Sequence, residues 1–271
     1  MNTIDVPTWE AFEEEIRKLI ARRDLLRTNS PVHVSGLLFR GQSSSTWRLE
    51  TTLERCAPRF LKVRDYYRAM FGAKYQIESL TDRGWDIPTP EEHERWLDKQ
   101  DVFGIWDLPG DAFMIHLRHH GFPSPLLDWS QSPYVAAFFA FSHALPGDSV
   151  SVYAYLEYAG HAKSGSTTSP RICGRGPSVR THRRHVLQQC EYTICTVLAE
   201  GKWRYACHES AFAQKEGPQD ILWKFNIPSS ERLKALRVLD RYNLNAFSLF
   251  GSEESLMETI ALREFFFREG V

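Results

Sequence analysis

The run from Tyr134 to Phe141 consists only of apolar and aromatic residues, and it constrains the fold more than any other feature. Ser132 and Pro133, directly before it, provide a hydroxyl N-cap and a proline at the first helical position, so the run is predicted to be a helix. A helix that is apolar on all sides must be buried. The run is also far shorter than the about 20 residues that span a bilayer. The chain therefore needs a core that surrounds a helix, and 271 residues can provide one.

Helices and strands are interleaved along the rest of the chain without strict β–α–β regularity. An N-terminal helix over 8–22 is predicted, because Thr8 can cap it and apolar residues recur at helical spacing. Further helices are expected over about 55–80, after Ser229 or Ser230, and after Ser252. Strands are predicted at Val32 to Arg40, Val150 to Leu156, Glu191 to Leu198 and Ile221 to Ile227. This order favours an α+β fold in which residues 1–271 form a single domain, with a mixed or antiparallel central sheet flanked by helices.

The composition is that of an ordinary globular protein. Hydrophobic residues make up 42% and charged residues 25%, which excludes a disordered or fibrous chain. The formal charge of −1 argues against wholesale electrostatic wrapping of nucleic acid. The five cysteines are an odd number without a Cys-x-x-Cys pair, so reduced thiols are expected. The N-terminus is acidic and lacks the apolar segment of a signal peptide. We therefore expect a soluble cytoplasmic protein that does not contact a membrane.

Two positions stand out as candidate ligand contacts. Arg40 closes an apolar strand and is followed at once by Gly41, so a guanidinium fork could meet phosphate or carboxylate oxygens where the backbone permits close approach. The alternative is an edge arginine paired with a nearby acid. Asp128 ends a second apolar run four residues before a helix start, where it could cap that helix or line a cleft. His119 and His120 precede a turn and could contact a ligand or serve as hydrogen-bonding struts.

The window from Tyr158 to Cys190 contains no acid and six cations. Residues 159–182 are expected to form a mobile basic loop, since the first half is rich in Gly, Ser and Thr. Its cations could dock an anionic acceptor or nucleic acid, or form a solvated face. The acceptor-binding candidates are Arg180, Arg183 and Arg184. Metal binding is not predicted, because the nearest cluster, Cys190 and Cys195 with His182 or His185, lacks paired-ligand spacing.

Three segments together resemble the FRG domain, a family named for its Phe-Arg-Gly motif. They are Leu38 to Gln42, His119 to Ser130, and Ala136 to Ala140. Weaker similarity continues downstream, so the resemblance spans residues 9 to about 262. The sequence departs from the family pattern at Ser124-Pro125, where Thr-Arg is usual, and at His120 and Cys190.

The layout of this family is in turn similar to the ADP-ribosyltransferase fold, which implies NAD as a substrate. On this analogy Arg40 would clamp the NAD pyrophosphate and Ser130 would order the nicotinamide ribose. Glu191 would stabilise the cationic transition state of glycosidic cleavage, and Gln189 would orient the acceptor. The remaining residues expected to bind the cofactor are Gly41, Gln42, His119 and Asp128.

The resemblance therefore implies an NAD-consuming enzyme that transfers ADP-ribose to a macromolecule or hydrolyses NAD, such as a bacterial toxin or an anti-phage effector. The alternative is a non-enzymatic module that senses a nucleotide or binds a nucleic acid or protein. Glu191 could equally be an edge acid that neutralises Arg183 or Arg184. The enzyme hypothesis requires Arg40 and Glu191 to face a common pocket.

Overall fold

The computed structural model describes residues 1–100, 108–160, 167–176, 183–212 and 220–268. The strands are β1 (Asn2–Asp5), β2 (Leu37–Gln42), β3 (Leu126–Ser130), β4 (Ser149–Leu156), β5 (Arg171–Arg175), β6 (Cys190–Ala199), β7 (Lys202–Tyr205) and β8 (Ile221–Pro228). The helices are α1 (Trp9–Asn29), α2 (Thr52–Cys56), α3 (Val63–Thr81), α4 (Pro90–Asp98), α5 (Asp111–His119), α6 (Pro133–Ser142), α7 (Arg183–Leu187), α8 (His208–Phe212), α9 (Arg232–Arg241), α10 (Ala246–Phe250) and α11 (Glu253–Leu262).

The strands form one sheet in the order β1-β8-β4-β2-β3-β6-β5, with β7 paired to β6. Only the β1–β8 pair is parallel within the described chain, so the predicted mixed sheet flanked by helices is confirmed. The expected loop over 159–182 is corrected, because β5 lies inside it and pairs with β6. Its segments 161–166 and 177–182 lie outside the described residues. No helix in the described part of the chain is long and apolar enough to cross a membrane.

Helix α6 is buried, as its sequence predicts. Ser132 caps it by accepting a hydrogen bond from the backbone of Val135, with Pro133 at its first turn. The helix lies directly over β2, where a Cβ atom at Gly41 would sit 1.9 Å from the backbone oxygen of Ala136. Glycine at position 41 is therefore what lets the helix approach the strand this closely.

Two helical layers cover different halves of one face of the sheet. Helices α1, α6 and α9 pack on β2, β4 and β8, whereas α3 and α5 pack on β3, β6 and β7. Leu38, Trp129 and Tyr153 belong to a third cluster on the opposite face, because side chains alternate along a strand. The boundary between the two helical layers runs along the junction of β2 and β3, where the candidate site lies.

Strands β2 and β3 are paired only at Phe39 and Ser130. By contrast, β2 pairs with β4 over six residues and β3 pairs with β6 over five. The sheet is thus continuous at a single residue pair between its two halves. Space opens at both ends of this contact, and each opening forms a cleft.

Candidate functional site

The first cleft opens where β2 and β3 diverge beyond the Phe39–Ser130 pair. It has a volume of about 210 Å³, and we call it the Arg40 cleft. The residues that matter most to its chemistry are Arg40, Gln42, Trp47, Arg55, Asp128 and Phe139. Strand β2 supplies the first two, and the strand β3 supplies Asp128, so the cleft is built from both halves of the sheet.

Two arginines converge on one carboxylate at this cleft. Nη1 of Arg40 donates to the backbone oxygen of Asp128 at 2.7 Å and also to its Oδ1. Nη2 of Arg118, from α5, donates to the same Oδ1 at 2.8 Å. The side chains of Arg40 and Arg118 are only 13% and 15% exposed. Two positive charges and one negative charge leave the network with a net charge of +1.

The pKa shifts agree with this charge assignment. Burial alone would raise the pKa of Asp128, but the adjacent Arg118 and Arg40 charges hold that pKa far below its usual range. Burial lowers the pKa of Arg40, an effect that Asp128 opposes, while the charge of Asp128 raises the pKa of Arg118. Asp128 is therefore ionised at neutral pH. Within the described residues, the Nε atoms of Arg40 and Arg118 are buried and have no hydrogen-bond partner.

The rim of the Arg40 cleft carries an aromatic ring and a third cation. Trp47 is 55% exposed, which is unusual for so large an apolar side chain, and Arg55 is exposed at the end of α2. Gln42 is only 5% exposed, and its Nε2 donates to the backbone oxygen of Arg48 at 3.1 Å. Among the described residues its Oε1 is buried without a partner. The cleft thus combines excess positive charge, unused hydrogen-bonding groups and a flat ring.

The second cleft lies at the other end of the β2–β3 contact, where β3 has ended. It has a volume of about 360 Å³, and we call it the Glu191 cleft. Its lining includes Ile20, Arg23, Leu38, Gln131 and Glu191. Nε2 of Gln131 donates to Oε1 of Glu191 at 2.7 Å, and burial raises the pKa of Glu191. In the described structure Glu191 is therefore bonded to a neutral amide, whereas the edge-acid alternative pairs it with Arg183 or Arg184.

Comparison with known families matches the segment that supplies most of the residues lining the Arg40 cleft. Residues 35–149 match the family model of the FRG domain. This segment of the chain is similar to an FRG domain. No curated protein and no solved structure matches the chain. The matched segment includes Arg40, Gly41, Asp128 and α6, whereas Glu191 lies outside it.

The fold separates Arg40 and Glu191, the two residues that the enzyme hypothesis places in one pocket. Arg40 lines the Arg40 cleft, and Glu191 lines the Glu191 cleft. The two residues lie on β2 and β6, on either side of β3. The register puts Glu191 opposite Trp129, so two strand spacings of about 4.8 Å each separate it from β2. The required common pocket is not found in the described structure.

Gln189 also differs from its expected position. A residue two positions before Glu191 would share its face if the strand included both, but β6 begins only at Cys190. Gln189 is exposed and has a left-handed backbone with φ of 50°, while its backbone oxygen accepts from the Gln131 amide at 3.0 Å. The residue belongs to the turn that enters β6, so its side chain has no fixed relation to the face of that strand.

Ser130 lines the Arg40 cleft, whereas His119 does not, and both side chains form hydrogen bonds to the surrounding framework. The Ser130 hydroxyl donates to the backbone oxygen of Gln188 at 2.8 Å and accepts from the Ser132 amide at 3.0 Å. It thereby ties the end of β3 to the start of α6. His119 shares a hydrogen bond of 2.7 Å with the buried Tyr192 hydroxyl and does not line the Arg40 cleft.

The acceptor-binding candidates pack on the C-terminal helices. Arg183 and Arg184 begin α7, and the Arg184 guanidinium lies 5.3 Å from the ring centroid of Phe250. The Arg183 guanidinium lies against Gly251, where a Cβ atom would come within 2.7 Å of Nη2. Arg180 lies outside the described residues. No three His, Cys, Asp or Glu side chains in the described chain are grouped so that they could hold a metal ion.

Three residues at or near the Arg40 cleft were not predicted from the sequence. Arg118 precedes the His119 motif by one residue and lies on α5, so only the packing of α5 against β3 brings it to Asp128. Trp47 and Arg55 fall in a polar segment and a short helix without a motif. The one available signal was an isolated tryptophan in a serine- and arginine-rich stretch, which is a typical position for an exposed ring.

Proposed function

We propose that the FRG domain binds a nucleotide through its phosphate in the Arg40 cleft and acts as a nucleotide-sensing module. The observation that carries this proposal is the pair of largely buried guanidiniums that share the single carboxylate of Asp128. An anionic ligand would balance the charge that this network leaves uncompensated.

The excess positive charge of this network favours an anionic ligand. A charge removed from water is destabilising unless a partner of opposite sign and hydrogen bonds compensate it. Asp128 compensates one unit of charge, and Arg40, which lines the cleft, carries part of the remaining unit. In the described chain the buried Nε atoms of Arg40 and Arg118 have no hydrogen-bond partner. Guanidinium groups match phosphate oxygens in a planar, two-pronged geometry. Exposed Arg55 at the rim adds a third positive charge for the same ligand.

The size of the cleft supports a ligand of nucleotide type that is only partly enclosed. A volume of about 210 Å³ is smaller than the about 300 Å³ at which sites for drug-sized molecules begin. Phosphate and ribose would fill the cleft, and the base would lie at the rim against Trp47. Aromatic rings bind bases by stacking, and Trp47 offers an exposed ring there.

An enzyme that binds NAD in the Arg40 cleft and cleaves it is the alternative, and it has less support than binding without turnover. Arg40 would suit the NAD pyrophosphate, and the mixed sheet is compatible with the ADP-ribosyltransferase analogy. Cleavage of the glycosidic bond, however, needs a carboxylate close to the developing positive charge. Glu191 lines a different cleft, and Asp128 is already bonded to two arginines. We therefore favour binding without turnover, with the basic residues at Arg183 and Arg184 as a separate candidate surface for a macromolecular partner.

Isothermal titration calorimetry with AMP, ADP-ribose and NAD tests the proposal. Arg55→Ala should weaken binding of each ligand about tenfold, since a hydrogen-bonded charge contributes about 1.5 kcal/mol or more. Arg22→Ala, an exposed arginine of α1, is the matched control and should leave binding unchanged. Chromatography of the NAD mixture should detect no released nicotinamide. The absence of binding by all three ligands contradicts the proposal, and nicotinamide release that requires Glu191 would establish the enzyme instead.

A further inference from the structure

We infer that the Arg40 cleft selects a nucleotide with an adenine base, whose exocyclic amino group donates to Oε1 of Gln42 while the ring stacks on Trp47. This inference rests on the proposed binding of a nucleotide in the same cleft. It adds the identity of the base, which the charge network alone does not specify.

The orientation of the Gln42 amide is fixed by its neighbour. Its Nε2 donates to the backbone oxygen of Arg48 at 3.1 Å. If the amide were flipped, two oxygen atoms would face each other, so the Arg48 carbonyl selects the observed orientation. Gln42 is 95% buried on β2, whose backbone pairs it with Ser151 of β4. The acceptor is therefore held in place by the strand and cannot reverse its polarity without losing a hydrogen bond.

The oxygen that remains on Gln42 is an unused acceptor in the described structure. Oε1 is buried and has no donor, and a buried acceptor without a donor is destabilising. Gln42 lines the Arg40 cleft together with Arg40 itself, two residues earlier on β2. A ligand that anchors its phosphate at Arg40 and brings an N–H group to Gln42 would satisfy both unpartnered positions.

Trp47 supplies the stacking surface beside this acceptor. The Gln42–Arg48 hydrogen bond closes residues 42–48 into a loop, which keeps Trp47 at the cleft next to Gln42. The Tyr153 hydroxyl donates to the backbone oxygen of Trp47 at 3.4 Å and ties the loop to β4. A base that stacks on the indole would therefore lie in the same cleft as Gln42.

The polarity of that edge discriminates between bases of the same size. Adenine carries an amino group at C6, which can donate to Oε1, as amide side chains recognise adenine in nucleic acids. Hypoxanthine carries an oxygen at C6, which would face the Gln42 oxygen as a second acceptor. A site built around a hydrogen bond rejects a ligand that cannot make it. Stacking on Trp47 is similar for both bases, so a difference in affinity that disappears in Gln42→Met reports on the polarity of the base edge that meets Gln42.

Calorimetric titration of the full chain with AMP, inosine 5′-monophosphate and ribose 5-phosphate tests the inference. The affinity for AMP should exceed that for inosine 5′-monophosphate by about tenfold or more. Gln42→Met, which keeps the side-chain volume and lacks the acceptor, should abolish this preference. Trp47→Ala should weaken both nucleotides about tenfold and leave ribose 5-phosphate unchanged, because only the bases stack. Tyr75→Ala, which removes a 66% exposed ring on α3, should change none of the three affinities.

The outcomes separate the inference from the proposal on which it rests. Equal affinity for AMP and inosine 5′-monophosphate in the wild-type protein overturns the inference, while binding of both leaves the phosphate site intact. If none of the three compounds binds, the proposed function itself fails. A thermal melt of each variant verifies folding, and if Gln42→Met is unfolded, the wild-type comparison of the two nucleotides still decides the question.

Discussion

The Arg40 cleft and the Glu191 cleft flank the same residue pair of the sheet, yet their carboxylates behave in opposite ways. Asp128 meets two guanidiniums, and its pKa is held far below the usual range despite burial. Glu191 meets the neutral amide of Gln131, and burial raises its pKa. Burial acts in the same direction on both acids, so the partners decide the sign of the shift. Only the Arg40 cleft is thereby left with excess positive charge, which is why we assign the anionic ligand to it.

The variant with the largest expected effect is Asp128→Asn, which removes the negative charge of the Arg40 cleft. The variant leaves two guanidiniums without a counter-charge, so we expect a loss of about 3–5 kcal/mol in the free energy of unfolding at pH 7. Urea denaturation followed by circular dichroism measures the loss. Glu14→Gln, which removes an exposed partner of Arg17 on α1, is the control and should change stability by less than about 1 kcal/mol.

The difference in stability between wild type and Asp128→Asn should depend on pH in a defined direction. The folded pKa of Asp128 is lowered, so its contribution to stability is present above the unfolded pKa of about 3.9 and is lost as the pH falls toward the folded value. The difference between wild type and Asp128→Asn should therefore be constant from pH 7 to about 5 and shrink below about pH 4. A difference that grows on acidification would contradict the assignment of an ionised Asp128.

The next largest effect concerns the close contact between Gly41 and α6, which forms part of the lining of the Arg40 cleft and not of the Glu191 cleft. In Gly41→Ala, the new methyl group would meet the backbone of α6, with Ala136 O at 1.9 Å, and neither backbone can yield without moving the helix. Overpacking of this kind should cost about 3 kcal/mol. Gly72→Ala in α3 is the matched control, because nothing lies within 4 Å of its Cβ position. That variant should be more stable by about 1 kcal/mol, since alanine favours a helix interior. Equal unfolding midpoints for the two variants would show that α6 does not depend on glycine at position 41.

Much of the fold follows from local chemistry. The burial of α6 and its cap could be predicted, because an all-apolar run behind Ser132 and Pro133 has few alternatives. The single pair between β2 and β3 could not, because strand register depends on which distant segments compete for the same edge. The strands β1, β3, β5 and β7 are four or five residues long and lack clear alternation, so they were not predicted.

The candidate site was predicted only in part, because local motifs identify some of its residues and long-range packing brings in the others. Arg40, Gly41, Gln42 and Asp128 fall within segments of the FRG motif, and all line the Arg40 cleft. The separation of Glu191 from Arg40 arises from where β3 stops, which spacing along the chain does not encode. Likewise Arg118 reaches Asp128 only through the packing of α5, a tertiary contact that no local pattern reports.

The smallest expected effect on stability concerns Glu191 in the Glu191 cleft. The folded pKa of Glu191 is raised, so the protonated acid favours the folded state, and this contribution is lost as the pH rises from the unfolded pKa of about 4.3 through the folded value. Glu191→Gln should therefore match wild type in thermal melting at pH 4 and exceed it slightly at pH 8. The Glu14→Gln variant should show no such gain at pH 8.

The same variant also separates the two clefts in function. Because Glu191 does not line the Arg40 cleft, Glu191→Gln should bind AMP with an affinity within about twofold of wild type, a difference of about 0.4 kcal/mol at most. Calorimetry on the two proteins gives the ratio directly. A tenfold loss of AMP affinity, in a variant that melts normally, would mean that one ligand spans both clefts, and the assignment of independent sites would have to be abandoned.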